Sequence, residues 1–221
     1  MKPGESSLSW RTLLPRLVVT GVVLAIWFWT QSLLGARTAP SAGVGDALHN
    51  LTAGWNYYFA QHASAANALL IVSSALLDVL GVFLLAGWLL GGSIRPFLGL
   101  VSLMLLRQAL QALCSLPVPQ GMIWHYPGFP SLLVTYQVAN DFFFSGHTAI
   151  AVFGAIELSR FHRKWLTAAA ILLVLFEVGT VLVLRAHYTM DVFAGALASF
   201  WVSRITERLS PGLDRRLKDI R

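Results

Sequence analysis

Apolar residues dominate six runs of this chain, at about 16–35, 66–90, 97–115, 143–160, 166–184 and 188–204, with polar punctuation between them. A helix rises ~1.5 Å per residue, so about 20 apolar residues cross the ~30 Å hydrocarbon core of a bilayer. The pattern predicts an all-α polytopic membrane protein with six transmembrane helices. Gly91-Gly92-Ser93 with Arg95-Pro96 reads as a tight loop, and Phe161-His162-Arg163-Lys164 as a basic turn. The first run could be a signal peptide, but it exceeds the roughly 7–15 residues of an h-region and reads as an uncleaved span. Between Asp46 and His62 the period changes. Leu48, Leu51, Trp55, Tyr58 and Phe59 share one helical face, with His49, Asn50 and Asn56 off it. That is either an amphipathic helix in the membrane surface or a packed surface helix.

Composition agrees: 56% of residues are hydrophobic and only 12% charged. The net charge of +6 does not point to nucleic acid, because the basic residues flank the apolar runs as topology signals do. With both termini inside, thirteen of the 16 Lys and Arg residues fall on the inner side, leaving Arg37, Arg107 and Arg185 towards the outside. The expected arrangement is therefore N-in/C-in. It divides into a cytoplasmic segment 1–15, a six-helix membrane domain 16–207 with its site on the outer face, and a basic cytoplasmic tail 208–221. No repeat and no second domain is visible. Cys114 is the lone cysteine and excludes an intramolecular disulfide. The short tail suits a bacterial inner membrane, with an endomembrane as the alternative; the oligomeric state is left open.

Candidate chemistry gathers where the fifth run gives way to the sixth, at Arg185-Ala-His187-Tyr-Thr-Met-Asp191. His187 and Asp191 are four apart, one helical turn, so the carboxylate could fix one ring nitrogen as N–H and leave the other as nucleophile or base. A structural pair is the alternative, but ionisable groups in membrane are costly and usually functional. On the same outer side the fourth span opens as Asn140-Asp141-Phe-Phe-Phe-Ser145-Gly146-His147-Thr148. Ser145 is a candidate N-cap, Gly146 permits close backbone approach, and the first helical turn offers free N–H groups to an anion. Arg107, two to three turns below the outer end of its span, can join them. Two histidines, two arginines and a helix N-terminus form a candidate phosphate site.

These motifs resemble the type 2 phosphatidic acid phosphatase superfamily: Ser145-Gly-His147, then His187-x-x-x-Asp191 about forty residues on. More closely, the chain resembles the branch holding sphingomyelin synthases and plant phosphatidylcholine:diacylglycerol cholinephosphotransferases. The residues that carry this are Arg107 followed by Leu116-Pro-Val-Pro119, Asp141-Phe-Phe-Phe-Ser-Gly-His-Thr148, and Arg185-Ala-His-Tyr-Thr-Met-Asp191. Before about residue 46 the resemblance is absent, and the acidic Asp46 is assigned to no motif. Two departures from the phosphatases favour the transferase branch. Trp88 stands where they carry a basic residue, and Thr180-Val181 where they carry Ser-Arg.

The resemblance implies transfer of a phospho-headgroup, phosphocholine or phosphoethanolamine, from a glycerophospholipid to a lipid alcohol, ceramide or diacylglycerol. It implies His187 as nucleophile oriented by Asp191, a phosphohistidine intermediate, and His147 as general acid and then base. Arg107, Arg185, Ser145 and Gly146 would bind the phosphate. Asp141, Trp124 and Tyr126 are candidates for the headgroup, Trp124, Tyr126 and Trp55 as a cation–π cage for choline or as interface anchors. No metal site and no cofactor are expected, since the remaining histidines are scattered. Two rivals stand beside this reading. One is a lipid phosphate or polyprenyl diphosphate phosphatase with water as acceptor. The other is a non-enzymatic lipid-binding protein with Asp78 and Glu177 as polar relays, although both also suit interhelical hydrogen bonds.

Overall fold

The computed structural model describes residues 10–36, 44–136 and 142–219, the side chain of Leu34 aside. Eight helices follow one another: α1 (Trp10–Gly35), α2 (Ala47–Leu51), α3 (Ala53–Gln61), α4 (Ala63–Leu89), α5 (Arg95–Leu113), α6 (Gly146–Ser159), α7 (Lys164–Val183) and α8 (Thr189–Asp219). No strand occurs among the described residues. Arg37, Asp141 and the first nine residues lie outside them.

Helix α6 is the central element, packed against α4, α5, α7 and α8. Apolar helices gain nothing from leaving lipid for one another, so close packing and interhelical hydrogen bonds must hold them. The sequence supplies small residues where that requires them. A Cβ on Gly195 would lie 2.7 Å from the Ser145 carbonyl oxygen, so α8 can approach α6 only as glycine there. One turn on, Ser199 Oγ donates to the Ala149 carbonyl at 2.8 Å. Between α4 and α7, Ser73 Oγ donates to the buried Glu177 carboxylate at 2.6 Å, which answers the interhelical reading of that residue.

Four helices are long and apolar enough to cross a membrane: α1, α4, α5 and α7. Six spans were expected, and the remaining two, α6 and α8, fall short for physical reasons. Helix α6 has 14 residues, about 21 Å of rise, because the chain from Phe142 to Ser145 is not helical before it. Helix α8 carries Asp191 and Arg204 in its apolar part and Glu207, Arg208 and further charges beyond it, which lowers its apolarity. It also continues as helix through Pro211 to Asp219, where a polar tail was expected. The carboxylate of Asp214 accepts from Ile94 N at 2.8 Å and Ser93 Oγ at 3.0 Å, docking the end of α8 on the turn before α5. Apolar side chains point outward along α1 and α7, among them Leu17, Val18, Leu172 and Leu175.

The amphipathic stretch divides at Thr52 into α2 and α3. Leu51, Trp55 and Tyr58 are exposed, whereas His49 and Asn56 are buried. Its polar face looks inward: Asn56 Nδ2 donates to the carbonyls of Gly121 and Val183 at 3.0 and 2.9 Å.

The two ends of the bundle differ in chemistry. One holds the end of α4, the start of α5 and the ends of α6 and α8, joined by Arg95–Glu157 at 2.6 Å and Arg160–Glu207 at 3.1 Å. The opposite end holds the starts of α6 and α8, with α2 and the 114–136 loop over them.

Candidate active site

The sharpest local problem at this end is the non-helical segment 142–145, whose buried backbone groups must be satisfied inside the protein. Three of them are met by residues singled out in the sequence. The Phe142 carbonyl accepts from His187 Nδ1 at 2.8 Å, and the Phe144 carbonyl accepts from Arg107 Nε at 2.9 Å. Ser145 N donates to the Asp191 carbonyl at 3.0 Å. Ser145 then caps α6, its Oγ accepting from Thr148 N at 3.3 Å. The segment is thereby pinned to α5 and α8 together, which brings the Ser-Gly-His and His-x-x-x-Asp motifs to one place.

A small cavity lies at that junction, lined by Arg107, Gly146, His147, His187 and Trp124, with Trp27 and Gln31 from α1. His147 is buried, and its Nε2 has no hydrogen-bond partner among the described residues. The Trp124 ring meets it edge-on at 5.0 Å. Gly146 is needed for this closeness: a Cβ there would stand 3.2 Å from Arg107 Nε. Arg107 Nη1 also reaches the carboxamide oxygens of Gln31 at 3.3 Å and Gln111 at 3.4 Å.

The orientation of His187 differs from the sequence expectation. Asp191 Oδ2 lies 3.8 Å from His187 Nδ1, beyond hydrogen-bonding distance, and accepts instead from Tyr188 N at 2.9 Å. The Phe142 carbonyl takes the place expected for the carboxylate. A carbonyl can only accept, so Nδ1 carries the proton and Nε2 keeps its lone pair. Asp191 is wholly buried, one turn from the ring.

Arg185 does not line the cavity. Its φ of +53° is unusual for a residue with a Cβ. Nη1 donates to the Gln120 carbonyl at 2.6 Å and Nη2 to the His49 carbonyl at 3.3 Å, so it fastens α2 and the overlying loop. Ser145 and Asp191 also stand behind the lining. Tyr126 is half exposed and reaches Tyr136, which in turn meets Trp124 at 5.2 Å. Trp55 is remote, lining a separate groove with Phe59 and Leu175. Asp141 lies outside the described residues. Among those, no group of three or more His, Cys, Asp or Glu could hold a metal ion.

Sequence reasoning missed several members. Asp46 caps α2, accepting from Leu48 N at 2.9 Å, and also accepts from Thr189 N at 2.5 Å and Thr189 Oγ1 at 2.7 Å at the start of α8. Partial burial raises its carboxyl, but the hydrogen bonds from Thr189 and His49 outweigh this and hold it below the usual carboxylate range. His49 Nε2 bonds the His187 carbonyl at 2.9 Å, and its ring stacks on Tyr188. An acid directly before an amphipathic helix was the available signal for Asp46. For His49, Asn56 and Gln31 it was a polar side chain in an apolar setting. Asp78 accepts from Ser131 Oγ, Leu132 N and Leu133 N at 2.9–3.0 Å, anchoring the loop rather than relaying charge.

A family model described as AtPDCT1/2 matches residues 46–208, from Asp46 through nearly all of this site. The chain belongs to that family. Among its relatives is phosphatidylcholine:diacylglycerol cholinephosphotransferase 1 of Arabidopsis thaliana, 22% identical over 188 residues. That alignment takes in 85% of this chain, which spans about 60% of the relative's length. Helix α1 precedes the matched region yet still contributes Trp27 and Gln31 to the cavity.

Proposed function

We propose that this protein transfers a phosphorylated headgroup from a glycerophospholipid to a lipid alcohol, in a six-span N-in/C-in bundle whose site faces outward. The observation that carries the reading is one cavity lined by both histidines and Arg107, with His187 Nδ1 held by the Phe142 carbonyl. His187 Nε2 attacks phosphorus. The bond from phosphorus to the diacylglycerol oxygen breaks, its electron pair stays on that oxygen, and His147 supplies the proton. Arg107 and the first amides of α6 stabilise the charge on the pentacoordinate phosphorus. The resulting N–P bond carries the headgroup. An acceptor hydroxyl then gives its proton to His147 while its oxygen attacks phosphorus, and the N–P electron pair returns to His187. Asp191 balances the positive charge that builds on His187.

Arg185 and Asp46 serve as positioning residues, the one holding the loop and the other joining α2 to α8. The aromatic faces of Trp124, Tyr136 and Tyr126 suit a choline headgroup. The name of the Arabidopsis relative favours phosphatidylcholine as donor and diacylglycerol as acceptor, with phosphoethanolamine and ceramide the alternatives.

The test supplies purified protein with headgroup-labelled phosphatidylcholine or phosphatidylethanolamine, and with diacylglycerol and ceramide together. Label entering a new lipid identifies both headgroup and acceptor. Label released only in water-soluble form replaces this reading with a phosphatase or lipase.

A further inference from the structure

A second hollow adjoins the histidine cavity, between α1 and α5. Apart from Gln108 its walls are apolar. Trp27 and Met104 line both hollows, so they form a shared partition. From Arg107 at the histidine cavity, the wall of α5 runs through Met104 and Leu100 to Phe97. Ten residues of helix descend ~15 Å, the thickness of one leaflet of a ~30 Å hydrocarbon core. On α1 the parallel descent runs from Gln31 through Trp27 to Val23. At the partition Trp27 holds a buried indole N–H that has no hydrogen-bond partner among the described residues. Gln108 Nε2 donates to the Trp27 carbonyl at 3.1 Å, fixing α1 against α5 at this level.

We infer that this α1–α5 groove is the subsite for one acyl chain of the phospholipid donor. The inference rests on the headgroup-transfer reading for the identity of the donor. A phospholipid in that leaflet has its phosphate at the boundary and its tails directed towards the midplane. The hollows repeat that order, with a cation and two imidazoles above and an apolar slot below. The spare indole N–H lies between them, at the level of an ester carbonyl. A free phosphate or a water-soluble phosphoester would leave the slot unused. Helix α1, which lies ahead of the family match at residue 46, supplies one wall of the slot.

The probe is phosphatidylcholine with a diazirine on one acyl chain, photolysed in nanodiscs with the full chain and mapped by mass spectrometry. Saturable labelling of α1 near Val23–Trp27 and α5 near Val101–Leu105, removed by excess phosphatidylcholine, is the expected result. The same pattern is expected in the His187→Ala protein, since binding precedes chemistry. Val101→Trp fills the slot. It should cut this labelling, and should lower kcat/KM for long-chain donors about tenfold relative to a short-chain donor, as losing contact with a few methylenes predicts. Labelling spread evenly over the exposed faces of α1 and α7, without saturation, would overturn the inference even if headgroup transfer is found. Saturable groove labelling in a protein that transfers nothing would sustain the groove while removing the transferase reading.

Discussion

Arginine is used differently at the two ends of the bundle. At the end holding the start of α5 and the ends of α6 and α8, Arg95 and Arg160 are paired with Glu157 and Glu207. The Arg160 guanidinium, through its hydrogen bond and its charge, holds the exposed Glu207 carboxyl below its usual range. There the guanidinium groups tie helices together. At the other end Arg185 donates to two backbone carbonyls, and Arg107 to a carbonyl and two carboxamides. For Arg185 those carbonyls orient the guanidinium. The first end uses its arginines to tie helices together through carboxylates, whereas the second sets Arg185 on the loop and Arg107 on the Phe144 backbone, beside two histidines.

Substitutions at the two ends should therefore fail in different ways. His187→Ala should lower headgroup transfer by roughly 10³-fold or more while leaving the melting temperature within a few degrees of the parent. Arg107→Lys keeps the charge but loses the planar fork that reaches Phe144, Gln31 and Gln111, and kcat/KM should fall about 10²-fold. Glu157→Gln at the ionic end should do the reverse. It strands the Arg95 guanidinium and leaves Arg160 with Glu207 alone, costs about 2–4 kcal/mol of stability, and leaves turnover per folded molecule nearly intact. Equal activity losses at both ends would erase the distinction.

The smallest effect belongs to Asp46. Asp46→Asn should cost about 1 kcal/mol through weaker caps on α2 and α8. The sign of its pH dependence follows from its lowered folded-state pKa. The stabilisation is fully present above the ordinary aspartate value and is lost as pH falls through the lower folded value. The parent should lose stability on acidification in that window, and the Asn variant should lose less of it. Thermal melts of both proteins across that range give the comparison.

Much of the site could be read from spacing. Ser145-Gly-His147 and His187-x-x-x-Asp191 are local patterns, and a helix cap or an i, i+4 pair is set by neighbouring residues. What was hidden involves backbone or distant partners. Nothing in the sequence says that Phe142 would offer its carbonyl to His187, or that Asp191 would turn to Tyr188 N. Arg185 misled because charge and proximity in sequence suggest a ligand, while its direction is set by a left-handed backbone and the carbonyls of Gln120 and His49. The shortened α6 was also hidden, since Phe142, Phe143 and Phe144 are as apolar as a helix yet stay outside it. Glutamines inside apolar runs, Gln31 and Gln111, were the readable sign that α1 and α5 take part in the site.

The central claim is that His187 Nε2 carries the headgroup between two lipids. The direct measurement mixes protein with headgroup-labelled phosphatidylcholine without acceptor, quenches within one turnover in alkali, where a phosphoramidate survives, and maps the label by mass spectrometry. The account predicts labelled headgroup on His187, absent from the His187→Ala protein and discharged when diacylglycerol or ceramide is added. Transfer that proceeds with no protein-bound label, or with the label on His147, would contradict it.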